Sequence, residues 1–487
     1  MADYIICIDQ STQGTKVMLF DAKGRMTLRV DKPHAQIIDD RGYVEHDPEE
    51  IYSNLIDLVK QLLAESRIDP MDVRAVGISN QRETALAWYR SGRPVYNAIV
   101  WQCARGAAIC EGIADHAEDI RRRTGLQLSP YFSAAKLAWI MQNVPGVKDA
   151  ALKGDVLCGT VDSYLVYRLT GGREFRTDYS NASRTQLFNI TELRWDETIL
   201  ALFGIPACCM AELTDSDGFF GCTDFEGVLP RAVPIHGVMG DSHGALFGQG
   251  CLQRGMMKST YGTGSSIMMN IGEAPIFSDL GVVTSLAWKT RGQVQYVLEG
   301  NINYTGAVIS WLKNDIGLLQ SAGESEALAR AANPQDRTYL VPAFSGLGAP
   351  YWRSDVSAAF IGMNRTTGRA EMVKAGVEAI AYQITDVVKL MQQEAKIDSI
   401  QLRVDGGPTR NRWLMQFQSD MLDCPVMVPA SEELSGMGAA YAAGLGAGLY
   451  TEEVFSLNRY EQYSPTMDEA LRTQKYDGWK AAVNTIL

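Results

Sequence analysis

Residues 4–20 read YIICIDQSTQGTKVMLF: an apolar run that ends in a carboxylate, a polar turn, and a second apolar run. This pattern predicts a strand over residues 4–9, a turn over 10–14 and a returning strand over 16–20. Threonine hydroxyls, backbone N–H groups and a lysine in such a turn can hold phosphate oxygens without a helix N-terminus. Taken alone, the stretch favours an ordinary polar turn.

A second stretch of the same kind lies in the middle of the chain. Residues 256–260 and 266–270 predict strands, and Tyr261-Gly262-Thr263-Gly264 joins them in a tight turn. Two such turns, one in each half, can grip a polyphosphate from opposite sides, so the pair favours phosphate binding. Asp9, at the end of the first strand, is placed to order a metal-bound water on the same phosphates.

Length and periodicity predict an α/β protein with two domains. The 487 residues are too many for one ordinary core. Apolar positions at helical spacing over residues 46–66 are followed by a β-branched strand at 73–79, and the same alternation returns in the second half. We place the N-terminal domain at residues 1–248 and the C-terminal domain at 249–487.

Asp241 is a candidate catalytic base. It follows the apolar residues 233–240 and opens the sequence Asp241-Ser242-His243-Gly244. A carboxylate at the carboxyl end of a buried strand faces the crevice where ligands bind in open α/β sheets, and it can take a proton from an attacking alcohol. The alternative is a helix N-cap, a role that Asp performs well.

Two further sets of residues are candidates for ligand binding. In Asp405-Gly406-Gly407-Pro408-Thr409-Arg410-Asn411 the glycine pair would let a flat base lie against the backbone, although a plain strand-to-helix turn has the same composition. Arg82, Glu83, Trp101 and Tyr131 suit vicinal hydroxyls, through charge-assisted hydrogen bonds and ring stacking. Their spacing does not by itself bring these four together.

Composition and missing motifs exclude several other classes. The formal net charge of −12 argues against a nucleic-acid or anionic-membrane partner. The sequence has no GxxxxGK[ST] loop and no GxGxxG between a first strand and a helix. The start MADYIICIDQ carries no secretory signal, and nine scattered cysteines without CxxC pairs indicate reduced thiols. We therefore expect a cytoplasmic protein with no nucleic-acid or membrane partner.

Several longer blocks carry a family resemblance. In chain order they are GYVEHDP (42–48), NQRET (80–84), NAIVWQC (97–103), YFSAAKLAWI (131–140), TDYSNAS (177–183), YGTG (261–264) and PAFSGLGAPYW (342–352). In these blocks the chain resembles the FGGY family of carbohydrate kinases, and within it the glycerol kinases most. The resemblance runs nearly end to end, and so many blocks in order are specific to the family.

The resemblance implies two ribonuclease-H-like domains, as in actin and hexokinase, which close on ATP and Mg²⁺ in a central cleft. It implies that Asp241 is the general base and that Asp9 lies near the metal ion. The residues that it assigns to the nucleotide and the transferred phosphate are Thr12, Gln13, Thr15, Lys16, Thr263, Gly306, Gly407 and Asn411. It also implies a small polyol or sugar as the acceptor, and a possible homodimer or homotetramer.

The acceptor pocket departs from the glycerol-kinase pattern. The residues that match it are Arg82, Glu83, Trp101, Tyr131 and Asp241. Ser242 stands where those enzymes have Gln, Ser266 replaces a Phe, and Asn301 and Asn303 replace smaller or apolar residues. Losing a ring that buries roughly 150–250 Å² opens the pocket and makes it more polar. Because unpaired polar groups around glycerol would cost affinity, we expect a longer polyol or a ketose.

Two other functions remain open at this point. A glycerol kinase proper is the nearest alternative. A non-catalytic nucleotide sensor of the same fold is disfavoured, because Asp9 and Asp241 are both present. Residues 227–231, GVLPR, do not match the Gly-Gly-Thr-Arg run of the family's allosteric loop, so we expect no inhibition by a sugar bisphosphate.

Overall fold

The computed structural model describes residues 3–487, and its two main sheets repeat one topology. The first sheet runs, in spatial order, through the strands Cys222–Thr223, Val233–Gly240, Val73–Asn80, Tyr4–Gln10, Gly14–Phe20 and Met26–Pro33. The second runs through Val283–Thr290, Gln293–Ile302, Ser265–Gly272, Met256–Tyr261, Gln401–Asp405, Val426–Pro429 and Tyr460–Tyr463. In each sheet an antiparallel hairpin is extended by an antiparallel strand on one side and by two parallel strands on the other. This repeat confirms the predicted α/β class and its duplicated plan.

The two hairpins lie where the sequence predicts them. In the first hairpin, residues 4–20, Asp9 pairs with Lys16 across the strands. In the second, residues 256–272, Thr260 pairs with Ser266. The parallel strands beside each hairpin end near its turn, so their carboxyl ends form the edge where α/β sheets bind ligands.

Smaller sheets and the helices surround these two sheets. A third sheet contains Ile37–Ile38, Val44–His46, Ala98–Ile99, Ala85–Tyr89 and Val156–Thr160. Short strand pairs join Arg176–Asp178 to Glu212–Thr214, Phe188–Asn189 to Arg194–Trp195, and Tyr339–Val341 to Ala359–Ile361. The α-helices are Pro48–Ser66, Ala107–Gly112, Ala117–Thr124, Ser133–Asn143, Val147–Leu152, Val161–Leu169, Tyr179–Ala182, Glu197–Phe203, Asp241–Gly248, Gly306–Asn314, Glu324–Ala331, Arg369–Ala395, Arg412–Leu422, Leu434–Gly446 and Glu469–Ile486.

The long helix Arg369–Ala395 forms the centre of the second core. Its middle is buried on all sides, because it packs against the second sheet and several neighbouring helices. The backbone N–H of Gly368 donates to the Glu371 carboxylate at 2.9 Å, which satisfies a free donor at the start of the helix. Lys396 ends the helix in a left-handed conformation. The helix therefore extends the predicted segment 371–393 by two residues at each end.

The helix Leu434–Gly446 ties the two halves together, and we call it the bridging helix. Although it lies late in the chain, it packs on the helix Asp241–Gly248 and on strands of the first sheet. Small residues make this approach possible: a Cβ atom at Gly438 would lie 1.8 Å from the carbonyl oxygen of Gly244. The division of the chain at residue 248 stays a prediction.

Candidate active site

An open cavity of about 710 Å³ lies between the two sheets. The residues predicted to bind the acceptor line it together: Arg82, Glu83, Trp101, Tyr131, Asp241, Ser242 and Ser266. Thr12 and Thr263, one from each hairpin turn, also line the cavity, and so do Asn301 and Asn303. The fold thus brings to one place side chains that are scattered over more than two hundred positions of the sequence.

Asp241 is the first residue of the helix Asp241–Gly248, directly after the strand Val233–Gly240. The N-cap residue is Gly240, so the Asp241 carboxylate does not cap the helix as the alternative supposed. Its Oδ1 accepts a hydrogen bond from the backbone N–H of Ser242 at 2.6 Å and lies 3.3 Å from Arg82 Nε. The side chain is 35% exposed and faces the cavity. A carboxylate held in this way can accept a proton from a bound hydroxyl.

A buried network of charges supports Arg82 and Glu83. Arg82 makes a bidentate pair with Glu299, with N–O distances of 2.8 and 3.0 Å. Arg184 donates from Nε to Glu83 at 2.6 Å, and its Nη1 forms an ion pair with Glu299 at 3.1 Å. Burial would raise the pKa of Glu299, but Arg184 and Arg82 lower it well below its usual range. Glu299 therefore stays ionised and holds two arginines of the other half of the chain.

Two aromatic rings form part of the cavity wall. Trp101 and Tyr131 meet edge to face, with ring centroids 5.6 Å apart. The indole N–H of Trp101 donates to Thr12 Oγ1 at 2.9 Å, which couples the aromatic wall to the first hairpin turn. Rings of this kind shield a bound polyol from water and pack against its carbon atoms.

Two of the residues that depart from the glycerol-kinase pattern, Ser266 and Asn301, lie on one face of the second sheet. Register places Thr260, Ser266 and Asn301 side by side on adjacent strands, so their side chains project in the same direction. The Oγ of Ser266 is buried and has no hydrogen-bond partner among residues 3–487. Buried hydroxyls normally find a partner, so this atom is a candidate contact for a ligand.

Asp9 lies beneath the first hairpin turn and is 6% exposed. Ser79 Oγ donates to its Oδ1 at 2.8 Å. Burial raises the pKa of Asp9 from 3.8 to about 6; Lys16 and Ser79 lower it, while Asp241 raises it. Carboxylate oxygen is the ligand that Mg²⁺ prefers, and such sites commonly use one or two carboxylates with waters and substrate phosphates.

The other predicted residues of this hairpin point elsewhere. Gln13 is exposed and does not line the cavity. Thr15 is buried, and its Oγ1 has no partner among the described residues. Lys16 forms an ion pair with Glu433 at 2.7 Å rather than facing the cavity. The assignment of these three residues to phosphate remains a prediction.

A second cavity of about 540 Å³ contains the remaining predicted nucleotide residues, Gly306, Gly407 and Asn411. Its walls include the apolar side chains of Ile309, Val377 and Leu414. A Cβ atom at Gly407 would meet no atom of the described residues within 4 Å, so the backbone there opens onto free space. An apolar slot with exposed backbone suits a flat base.

Two family models match the chain over most of its length. The model of the N-terminal domain of the FGGY family of carbohydrate kinases matches residues 4–248, and that of the C-terminal domain matches residues 257–447. The chain belongs to the FGGY family of carbohydrate kinases. The resemblance that the sequence blocks predicted is therefore confirmed.

Similar proteins include several glycerol kinases. Glycerol kinase 1 of Thermotoga maritima is 49% identical, over 99% of this chain and 99% of its own. The glycerol kinase of Carboxydothermus hydrogenoformans is 43% identical, over 99% of this chain and 97% of its own. The crystal structure of Plasmodium falciparum glycerol kinase with ADP superposes with a TM-score of 0.95 at 34% identity, covering 100% of this chain and 98% of that one. A xylulose kinase from Lactobacillus acidophilus, at 20% identity and a TM-score of 0.87 over 99% and 98% of the two chains, shares the fold.

As an FGGY kinase, the chain has the two-domain fold of the actin and hexokinase type and transfers phosphate from ATP to an alcohol group, with Mg²⁺ as the metal ion. The open cavity with Asp241 and the apolar second cavity fit an acceptor and a nucleotide base, respectively. Within residues 3–487, no helix combines the length and the apolar composition needed to cross a membrane.

Sequence reasoning missed three charged residues of this FGGY kinase site: Arg184, Glu299 and Lys258. Arg184 directly follows the TDYSNAS block, and that adjacency was the available signal. Glu299 lies more than a hundred positions from either arginine that it binds. Such a pairing depends on how the two sheets meet, and no local pattern predicts it.

Proposed function

We propose that this FGGY kinase phosphorylates glycerol, with Asp241 as the general base. The observation that carries the proposal is the convergence of Asp241, Arg82, Glu83, Trp101 and Tyr131 on one cavity. Glycerol, rather than the larger acceptor expected from the sequence, is supported by relatives at 49% and 43% identity that are glycerol kinases. This was the alternative that the sequence left open.

The proposed roles follow from the geometry of the chain's own residues. ATP would supply the phosphoryl group, and bound Mg²⁺ would neutralise charge on its phosphates. The acceptor oxygen forms its bond to the γ-phosphorus as the bond to the leaving ADP oxygen breaks, and the hydroxyl proton passes to Asp241. Arg82 and Glu83 orient the acceptor, and the rings of Trp101 and Tyr131 exclude water that would otherwise be phosphorylated in its place.

The proposed nucleotide site extends from the hairpin turns to the second cavity. Thr12 and Thr263 would contact phosphates, and Gly306, Gly407 and Asn411 would surround the base. We assign the Mg²⁺ ligand in this site to Asp9, whose carboxylate lies beneath the first hairpin turn. Two hydrogen bonds fix the side chain of Asn411 beside the proposed base site. Its Oδ1 caps the helix Arg412–Leu422, and its Nδ2 donates to Ser325.

A longer polyol or a ketose is the second candidate acceptor, and one observation favours it. The unpartnered Oγ of Ser266 lies beside Asn301 on the cavity wall. An additional hydroxyl on the acceptor would satisfy this atom, whereas glycerol carries fewer groups to reach it. A site that leaves buried polar groups unpaired discriminates against the smaller substrate.

A coupled assay of ADP release tests the proposal across glycerol, four- and five-carbon polyols, and ketopentoses. A kcat/KM for glycerol at least about tenfold above the others supports glycerol, since one polar contact is worth this much. A higher value for a longer polyol or ketose supports the second candidate instead. If no acceptor raises ADP release above the rate measured with buffer in place of the acceptor, the kinase assignment of this site is wrong.

The variant Asp241→Asn tests the role of Asp241 as the general base. We expect it to lower kcat by roughly 10²–10⁴-fold while MgADP still binds, because general-base catalysis contributes in this range. Turnover within a few-fold of the wild type would contradict the assignment.

A further inference from the structure

The floor of the cleft contains a buried lysine on the second hairpin. Lys258 is 1% exposed and lies on the strand Met256–Tyr261. Its Nζ donates to Thr260 Oγ1 at 3.0 Å, and its side chain lines the acceptor cavity with Asp241 and Asp405. On adjacent strands, Lys258 is paired with Met268, and Met268 is paired with Glu299. Lys258 and Glu299 therefore lie on the same face of the sheet, the face that carries the buried charge network.

The other cations near the cavity are already matched by carboxylates. Arg82 faces Glu299 and Asp241, and Lys16 of the first hairpin is bound to Glu433. Among the ion pairs of residues 3–487, none involves Lys258. Among the described residues that line the cavity, Lys258 is therefore the cation that remains available to an anionic ligand.

The surroundings of Lys258 favour a strong interaction with phosphate. Burial lowers the pKa of Lys258, and the charge of Arg82 adds to this effect. The carboxylates of Asp405, Glu299 and Asp241 act in the opposite direction and favour the charged form. An ammonium group removed from water interacts with an anion far more strongly than an exposed one does. Phosphoryl transfer places negative charge on the equatorial oxygens, and fixed positive charge lowers the barrier.

We propose that Lys258 is a catalytic residue whose ammonium group contacts the phosphoryl group during its transfer. The proposal rests on the kinase function above and adds a residue to that site. Lys258 gains and loses no proton in this role: the hydroxyl proton goes to Asp241, and ADP keeps the electron pair of the broken bond. Thr260 holds the ammonium group in place by accepting its hydrogen bond.

Two variants and one matched control separate this role from a structural one. Lys258→Met removes charge and hydrogen bond together, whereas Lys258→Gln keeps a donor for Thr260 without the charge. Lys374→Met removes a second buried lysine, 7% exposed, which lies outside the cavity and pairs with Glu378. We expect both Lys258 variants to lower kcat by about 100-fold or more, with KM for ATP and acceptor within about threefold of wild type, and Lys374→Met to keep kcat.

A binding measurement tests Lys258 independently of turnover. Aluminium fluoride added to MgADP mimics a phosphoryl group in transfer, and calorimetry measures how much it tightens ADP binding in each protein, with and without acceptor. We expect wild type and Lys374→Met to show the tightening, and the Lys258 variants to bind ADP normally but lose it. If Lys258→Gln keeps both kcat and the tightening, Lys258 is structural and the proposal is wrong. If wild type turns over no acceptor, the kinase function fails, and the fluoride measurement still decides for or against a phosphoryl contact.

Discussion

Asp9, which we propose as a Mg²⁺ ligand, carries its carboxyl group in an unfavourable position for a charge. It is 6% exposed, and Asp241 and Glu433 add negative potential around it. The pKa of Asp9 rises to about 6 as a result, despite Lys16 and the hydrogen bond from Ser79. Without a metal ion, the ionised carboxylate therefore destabilises the folded protein.

Replacing Asp9 by Asn should stabilise the apoprotein and inactivate the enzyme. When folding raises the pKa of a carboxyl group from 3.8 to about 6, the folded protein loses stability as the pH rises through this interval. At pH 8 we expect Asp9→Asn to increase the free energy of unfolding by about 2–3 kcal/mol, at 1.36 kcal/mol for each unit of pKa. The gain should shrink toward pH 4, where the wild-type group is protonated in the fold. Urea unfolding without nucleotide or metal measures it, and a loss of stability at pH 8 would contradict the argument.

At the scale of elements, the bridging helix Leu434–Gly446 depends on the absence of side chains where it crosses the helix Asp241–Gly248. A Cβ atom at Gly438 would lie 1.8 Å from the Gly244 carbonyl oxygen and 2.9 Å from its Cα, so backbone rather than a side chain would have to move. Close packing of this kind leaves no room for a methyl group. The contact fixes how the second half of the chain sits on the first sheet.

Gly438→Ala tests this contact against Gly112→Ala. We expect Gly438→Ala to lower the free energy of unfolding by about 2–4 kcal/mol, as overpacking at an interface of backbone atoms does. Gly112 ends the helix Ala107–Gly112, and within residues 3–487 a Cβ atom there would meet nothing within 4 Å. Its change to Ala should be neutral or stabilise by up to about 1 kcal/mol, since Ala is the better helix former. Equal thermal midpoints for the two variants would show that the crossing tolerates a wider separation.

The same elements show what sequence can and cannot predict here. The hairpins, the strand before Asp241 and the helix Arg369–Ala395 follow from apolar periodicity and turn residues, which act over a few positions. The packing of the bridging helix on the first sheet joins segments separated by hundreds of residues. The family resemblance predicted that the pocket residues come together in the fold. No local sequence pattern indicated that Lys16 would pair with Glu433.

On the scale of the whole molecule, buried charge links the two halves across the floor of the cleft. Glu299 belongs to the second sheet, whereas Arg82 and Arg184 belong to the first half of the chain. Desolvating these groups is costly, and the energy is recovered only while every charge keeps its partner. The network therefore couples the geometry of the acceptor pocket to the relative position of the halves.

Glu299→Gln tests this coupling, with Glu378→Gln as the matched control. Glu378 is 2% exposed and pairs with Lys374 at 3.3 Å and Lys475 at 3.2 Å, so it is an equally buried carboxylate between two cations, but within the second half alone. We expect each variant to lose about 3–5 kcal/mol of unfolding free energy, because buried cations are left without a full partner.

Only Glu299→Gln should also raise the acceptor KM, by about tenfold, because Arg82 loses its bidentate partner and one charged hydrogen bond is worth this much. The KM for ATP should stay near that of the wild type in both variants. An unchanged acceptor KM in a folded Glu299→Gln protein would mean that the network contributes to stability without positioning Arg82.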